Sequence, residues 1–406
     1  MYDGKIPKLR SDIDVQIIEE DGTKGIVLYD KRGFAQSPIM VSTEFFLLLE
    51  LLEEGISEDE LREMFFREGA EIDISPILEN LKVLDEYYFL ESPLYFEKLN
   101  EDIATYQQIP ARPLLTVGRS YPEDLQEFQE FMQHLSNSKR INNSRKDADA
   151  IIVPHIDLSL IEYSHPIYAA GYDAIADKDF DTIVIFGTSH YVFSDYFMLT
   201  KKPYRTPFGV MENDNEVIDY LVQNYGNSFS FDDQAHRFEH TIEYQAVLSS
   251  YFFKNRKIKI IPILVGPFQK FVYENVDPIS DPKISTFIKG LTESLQKLNR
   301  KPVFIASVDF SHIGIKFGDE FNANEKLDEC KQEDFKLIQA IEAMDKKAFF
   351  DNIISTKDAW KVCGVSPIYS LLAAVQVGTG YFLDYNQWYE EATKSAVSFA
   401  SLAFWK

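Results

Sequence analysis

At 406 residues, 45% hydrophobic and 26% charged, the chain has the make-up of a soluble globular protein long enough for two domains. Its formal charge of −24 excludes the basic surface that neutralises phosphates, so neither nucleic acid nor an anionic membrane is an expected partner. The most apolar stretch, "EFFLLLELLEEG", carries Glu44, Glu50 and Glu53 and falls short of the roughly 20 residues of a membrane span. The opening "MYDGKIPKLRSDIDV" lacks the apolar run of a secretory signal, and the two cysteines, Cys330 and Cys363, form no CxxC pair. Reduced thiols and a cytoplasmic location are the expectation.

In chain order, "VQIIEE" and "GIVLYD" flank "DGTK" and predict a β-hairpin. A helix is expected from about Ser42 to Glu54, stopped at Gly55. "SEDELREMFFREG" opens with a capping box, Ser57 and Glu60. In "SPILENLKVLDEYYFL", Ser75 and Pro76 suit the cap and first helical position, with Ile77, Leu81 and Leu84 on one face. "YYFLES" and "LYFEKL" then suggest a second hairpin across Pro93. Hairpin, three helices and hairpin over residues 1–105 make an α+β winged-helix-like domain, which resembles the PqqD-like modules that bind peptides. That resemblance implies a peptide or protein partner taken up by strand addition; a module that merely packs on its neighbour fits the same pattern.

From about Ala111 the pattern alternates. "AIIVPH", a helix near 164–177, "TIVIFGTSH", a helix near 213–224, "IKIIPILVG", a helix near 283–298 and "PVFIASVDFSH" argue for an α/β domain with a largely parallel central sheet flanked by helices. The polar stretch 136–149 reads as an exposed loop. Three of the seven histidines, His155, His190 and His312, end these strand-like runs. Ligands of open α/β sheets bind at the carboxyl ends of strands, and neutral imidazole is the commonest metal donor. A lone histidine of this kind is more often a core residue, but three on separate strands predict a shared site. "HRFEHTIEYQ" places His236, His240 and Glu243 on one helical face and pairs Glu239 with Glu243, so it is expected to wall the same pocket; it is not an HExxH motif. In "DAWKVCGVSPIY", Cys363 offers a soft thiolate, and Gly364 permits close backbone approach.

The blocks "RPLLTVGRSYP", "IIVPH", "FGTSHYV", "YRTPFG", "FEHTIEYQ", "IIPILVG", "SVDFSHIG" and "VCGVSPI" stand in the order found in the Memo family, which residues 110–406 resemble. The resemblance is to the Memo-like component of the AmmeMemoRadiSam set, related in fold to class III extradiol dioxygenases. It implies metal ligation by His155, His190 and Cys363, an acid/base role for His312, and pocket or catalytic positions for Asp309, His240 and Glu239. Arg205 lies in the "YRTPFG" block and joins the expected substrate pocket with His236 and Glu243. Where the family has "HAGY" this chain has "HIDL", which adds Asp157, and the usual double histidine is here His190–Tyr191; both residues are expected near the substrate. The implied chemistry is a non-haem Fe(II) oxidoreductase activating dioxygen against a phenol, thiol or peptide. A copper- or iron-binding interaction factor without turnover, and a zinc-dependent hydrolase, remain open alternatives.

Overall fold

The computed structural model describes all residues except 1–3, 21–22, 31, 53–54, 68–72, 142–143 and 376–377. The chain divides into two compact units, Met1–Ile109 and Pro110–Lys406.

In the first unit, β1 (Ile13–Glu20) and β2 (Thr23–Asp30) pair antiparallel, with Ile13 opposite Asp30. The expected turn at Asp21–Gly22 lies outside the described residues, as do the expected helix end at Glu53–Glu54 and the close of the next helical stretch at Glu68–Gly69. A third strand, β3 (Ile39–Ser42), adds to β2. Helix α1 (Thr43–Leu51) begins where Ser42 Oγ accepts the Phe45 N–H at 3.2 Å, and Gly55 takes φ = +68°. The capping box forms at α2 (Glu58–Arg67): the Ser57 N–H donates to Glu60 at 2.7 Å and the Glu60 N–H to Ser57 Oγ at 3.2 Å. At α3 (Ser75–Glu86) the cap is Ile74 rather than Ser75, and Asp73 accepts the Ser75 N–H at 3.0 Å.

The second hairpin is overturned. "LYFEKL" begins α4 (Pro93–Gln108), because Ser92 caps the Tyr95 N–H and Pro93 takes the first helical turn, where its missing N–H costs nothing. Without that hairpin the winged-helix pattern is incomplete. Among the described residues a three-stranded meander and the helices α1–α4 form instead, over a core that includes Leu28, Leu49, Leu61, Leu81 and Phe89.

The second unit runs α5 (Leu125–Asn137), β4 (Ala150–Val153), α6 (Ile161–Ala174), β5 (Thr182–Thr188), β6 (Phe197–Leu199), β7 (Tyr204–Thr206), β8 (Gly209–Met211), α7 (Asn215–Tyr225), β9 (Ser230–Phe231), α8 (Asp233–Phe238) and α9 (Thr241–Phe252). It continues with β10 (Lys259–Val265), α10 (Gln269–Glu274), α11 (Pro282–Lys297), β11 (Pro302–Ser307), β12 (His312–Gly314), α12 (Leu327–Glu342), α13 (Lys346–Thr356), α14 (Val365–Ala374), β13 (Thr379–Glu390) and β14 (Ser395–Trp405). Strands β7 and β8 form a small ribbon. The main sheet has the order β12-β14-β4-β11-β5-β10-β6-β9, with β13 on β14.

The sheet is mixed, which corrects the largely parallel expectation. β4, β11, β5 and β10 run parallel, as do β6 and β9; β14 pairs antiparallel with β4, and β6 antiparallel with β10. The parallel strands are buried on both faces, which is why they read as unbroken apolar runs. Val184 and Phe186 pack in one layer with α7, α11 and α14; Ile183 and Ile185 pack in the other with α5, α6 and α9. No described helix is long and apolar enough to cross a membrane. Strand β11 lies between β4 and β5, so the residues leaving all three ends fall side by side, about 4.8 Å per strand apart.

Candidate metal centre

His155 follows β4, His190 follows β5, and Cys363 sits directly before α14, which packs on β5 and β11. One ligand atom from each of the three lies within 4.8 Å of the others. Cys363 Sγ is 3.4 Å from His155 Nε2. Donors about 2.0 and 2.3 Å from one ion at a tetrahedral angle stand roughly 3.6 Å apart, so this spacing suits a shared cation. The approach depends on Gly364: a Cβ there would meet the Asp309 carbonyl oxygen at 2.7 Å and Val308 Cβ at 2.8 Å.

Hydrogen bonds orient both rings. His155 Nδ1 faces the Ser307 carbonyl at 2.9 Å, so it carries the proton and leaves the Nε2 lone pair toward Cys363. Ser307 Oγ and the Pro154 carbonyl accept from Gln245 Nε2, at 2.8 and 2.9 Å, which fixes that strand end. His190 Nδ1 donates to Glu239, 3.1 Å from Oε1, leaving its Nε2 free. Glu239 also accepts the N–H groups of His190 at 2.7 Å, His240 at 3.0 Å and Thr241 at 3.3 Å, and faces His240 Nδ1 at 3.1 Å. The His190 and His240 rings stack at 5.4 Å, and His155 is 4.9 and 5.4 Å from them.

The charges follow from burial and partners. Burial, reinforced by the neighbouring imidazoles, holds His155 well below the usual histidine range and therefore neutral. Burial opposes protonation of His190, but the Glu239 carboxylate outweighs it and raises the ring. Burial alone would raise Glu239; contact with His190 and His240 instead holds it well below the carboxylate range. Burial pushes the Cys363 thiol up and Asp309 up to about 7. Asp309 Oδ1 accepts the N–H groups of His155 and Ile156 at 3.0 and 3.1 Å, and Oδ2 lies 3.6 Å from His155 Nε2.

The structure separates other expected site residues from this cluster. A break at Glu239–His240 divides "HRFEHTIEYQ" between α8 and α9, so His236, His240 and Glu243 do not share one helical face. His236 is buried between the Tyr204 hydroxyl at 2.7 Å and the Met198 carbonyl at 2.9 Å, a structural role. Glu243 is saturated by Leu115, Thr116, Tyr121 and Arg112, and ties segment 112–121 onto α9. Asp157 accepts from Ser159 in its own loop and from Ser120 in the 112–121 segment. Arg205 lies exposed on β7, and Tyr191 is 52% exposed with its ring 6.0 Å from that of His190. His312 donates from Nδ1 to the Phe310 carbonyl at 3.0 Å and packs on Phe317; burial, reinforced by the charge of nearby His190, lowers it to about 4, so it stands near the centre though outside the donor groups.

A cavity of about 230 Å³ opens beside His190 and Cys363, lined also by Phe193, Phe268, Val365, Gln269 and Asp358. None of these five was marked out by the sequence. A larger cavity of about 380 Å³ lies at the amino ends of the strands, where Lys178 pairs with Asp149 and Lys301 with Asp179.

Fold and site together define an α/β protein with a two-imidazole, one-thiol candidate metal centre at the carboxyl ends of its parallel strands. A family model described as Memo-like protein matches residues 112–403, and the chain belongs to that family. A MEMO1 family protein of Aquifex aeolicus is 28% identical over 93% of this chain and 96% of its own length. Relatives of the same description from Sulfurisphaera tokodaii and Thermococcus onnurineus are 30% and 27% identical. They cover 56% and 71% of this chain, and 72% and 97% of their own lengths. The Aquifex match extends beyond the family span into the first unit.

Proposed function

We propose that the second unit is a non-haem metal protein that holds Fe(II) on His155, His190 and Cys363 and oxidises a small phenolic or thiol substrate, or a peptide side chain, with dioxygen. The observation that carries this reading is the convergence of three donor atoms within 4.8 Å beside a substrate-sized cavity. Bound there, Fe(II) would supply a Lewis acid toward the substrate and electrons for oxygen. Glu239 and the Ser307 carbonyl fix the His190 and His155 tautomers, so both Nε2 atoms are presented without rearrangement. His240 is the imidazole left outside the ligand set; with Nδ1 held by Glu239, its Nε2 can accept a substrate proton and return it. Asp309 holds the backbone of His155 and stands beside its ring.

The donor set also favours zinc, which would make the centre hydrolytic, and its thiolate suits copper in a binding protein without turnover. For the first unit we propose recruitment of a peptide or protein partner; support comes from its three-stranded sheet, whose outer strands β1 and β3 are edges of the kind that accept an added strand. The free thiols Cys330 and Cys363 suit the reducing cytoplasm, where we place the chain.

Elemental analysis of untagged protein beside Cys363→Ser, then anaerobic Fe(II) loading and oxygen uptake with catechols and thiols, tests the reading. Iron lost in Cys363→Ser and uptake abolished in His190→Ala are expected. Zinc-dependent hydrolysis, or tight metal binding with no uptake on any substrate, would refute it.

A further inference from the structure

The cavity beside the metal centre has a distinctive chemistry. Phe193, Phe268 and Val365 give it apolar walls, and among the described residues no lysine or arginine lines it. Its two strongly polar side chains besides His190 are Asp358 and Gln269. Asp358 Oδ1 accepts the Val362 N–H at 3.0 Å, while Oδ2 and the Gln269 amide have no hydrogen-bond partner among the described residues. The carboxylate is held there by the backbone: Lys357 and Asp358 both adopt φ = +53°, in the left-handed region. That turn ends α13 and leads directly into the segment bearing Cys363. A half-buried carboxylate with an unused oxygen beside apolar walls recovers its lost hydration when a cation or strong donor enters, and repels an anion.

We infer that this cavity selects a small ligand with an aromatic or apolar body and a protonated amine, with Asp358 as the residue that distinguishes amines from carboxylates. The inference rests on the metal-site reading only in taking the body of the ligand toward His190 and Cys363. At about 230 Å³ the cavity holds on the order of eight water-sized groups, which fits one ring with a short chain. Burial raises Asp358 to about 6 against the opposing charge of Lys361, which is itself paired with Asp319, so the carboxylate is ionised at neutral pH, and the chain's net charge of −24 favours the approach of a cation.

Three phenols of similar skeleton serve as probes: tyramine, neutral tyrosol and anionic phloretate. Their affinities are measured by calorimetry on the full chain, both metal-free and zinc-loaded, in wild type and Asp358→Asn. Asparagine tolerates the left-handed backbone and keeps the acceptor for Val362, so the variant is expected to fold. Tyramine should bind about tenfold tighter than phloretate, and Asp358→Asn should cut tyramine affinity about tenfold while leaving tyrosol within about twofold. Equal or tighter binding of phloretate, an unchanged tyramine affinity in the variant, or no binding by any probe overturns the inference. Metal content of the same samples is a separate readout. Protein that keeps the tyramine preference but takes up no metal sinks the metal reading and sustains the cavity inference.

Discussion

Glu239→Gln is the sharpest test of how the donor face is held. The two carboxylate oxygens of Glu239 accept N–H groups from His190, His240 and Thr241, and no donor on the residue is needed. A glutamine must place an NH2 group at one of those oxygens. At Oε1 it would oppose the Thr241 and His240 N–H groups and the His190 ring; at Oε2 it would oppose the His190 N–H now 2.7 Å away. The second placement is the milder, yet it still sets donor against donor at the backbone of a metal ligand, costing about 1–3 kcal/mol. Loss of the partner that orients a ligating imidazole lowers metal affinity by about 10–100-fold. Competition against a chromophoric chelator measures this directly. Glu243→Gln, four residues on in the first turn of α9, is the control: it leaves the guanidinium of Arg112, 1% exposed, without its anionic partner and should destabilise the fold by about 3–5 kcal/mol. Metal affinity of the folded Glu243→Gln protein should match wild type. Undiminished metal affinity in Glu239→Gln, or the same loss in both variants, would refute the separation of roles.

Gly364→Ala would force its new methyl group against backbone, 2.7 Å from the Asp309 oxygen, so about 1–3 kcal/mol of stability should be lost together with metal affinity, read by thermal melts and chelator competition. Asp334 accepts from Ser311 Oγ and the Tyr385 hydroxyl, and burial lifts it from 3.8 to about 6. Because its folded value is raised, its stabilising contribution is complete below pH 4 and lost as pH rises through about 6. Relative to Asp334→Asn, wild type should lose about 3 kcal/mol across that window in urea titrations, and parallel pH profiles would refute the assignment. Zinc at about 100 times its dissociation constant should stabilise wild type by about 2.7 kcal/mol and leave His155→Ala unmoved; equal stabilisation of both would place the ion elsewhere.

The sequence exposed the strands that matter most, for a physical reason. β4, β5, β10 and β11 are covered on both faces, so almost every residue is apolar and the runs stand out. It concealed β13 and β14, whose antiparallel pairing, with that of β6 on β10, makes the sheet mixed. β14 is buried throughout yet built from serine and alanine as much as from large apolar residues, and β13 alternates too weakly to show a period. Periodicity misplaced His236 because a spacing of four is the same whether or not the helix is continuous between its ends. The break at Glu239 turns His236 toward Met198 and Tyr204, and leaves His240 on the donor side. "LYFEKL" misled for the opposite reason: its aromatic residues favour strands, but Ser92 and Pro93 together form a helix start that outweighs them.

Residue types alone also left the third donor open, since both Glu239 and Cys363 can complete a pair of imidazoles. Hydrogen-bond accounting decides between them. Turning Glu239 toward a cation would withdraw the acceptor from the backbone N–H groups of His190, His240 and Thr241, at about 1–3 kcal/mol for each donor left unpaired. Cys363 Sγ engages the Asp309 carbonyl and His155 Nε2, both at 3.4 Å, and the Thr188 hydroxyl, contacts in which a thiol is a weak partner and little is lost by giving them up. A cation bound here would therefore take the sulfur and leave the carboxylate in place on His190 and His240, whose rings stack. The same reasoning separates His190 from His240: both surrender Nδ1 to Glu239, but among the described residues only His190 groups with His155 and Cys363, so His240 would keep a lone pair for the proton transfer proposed above.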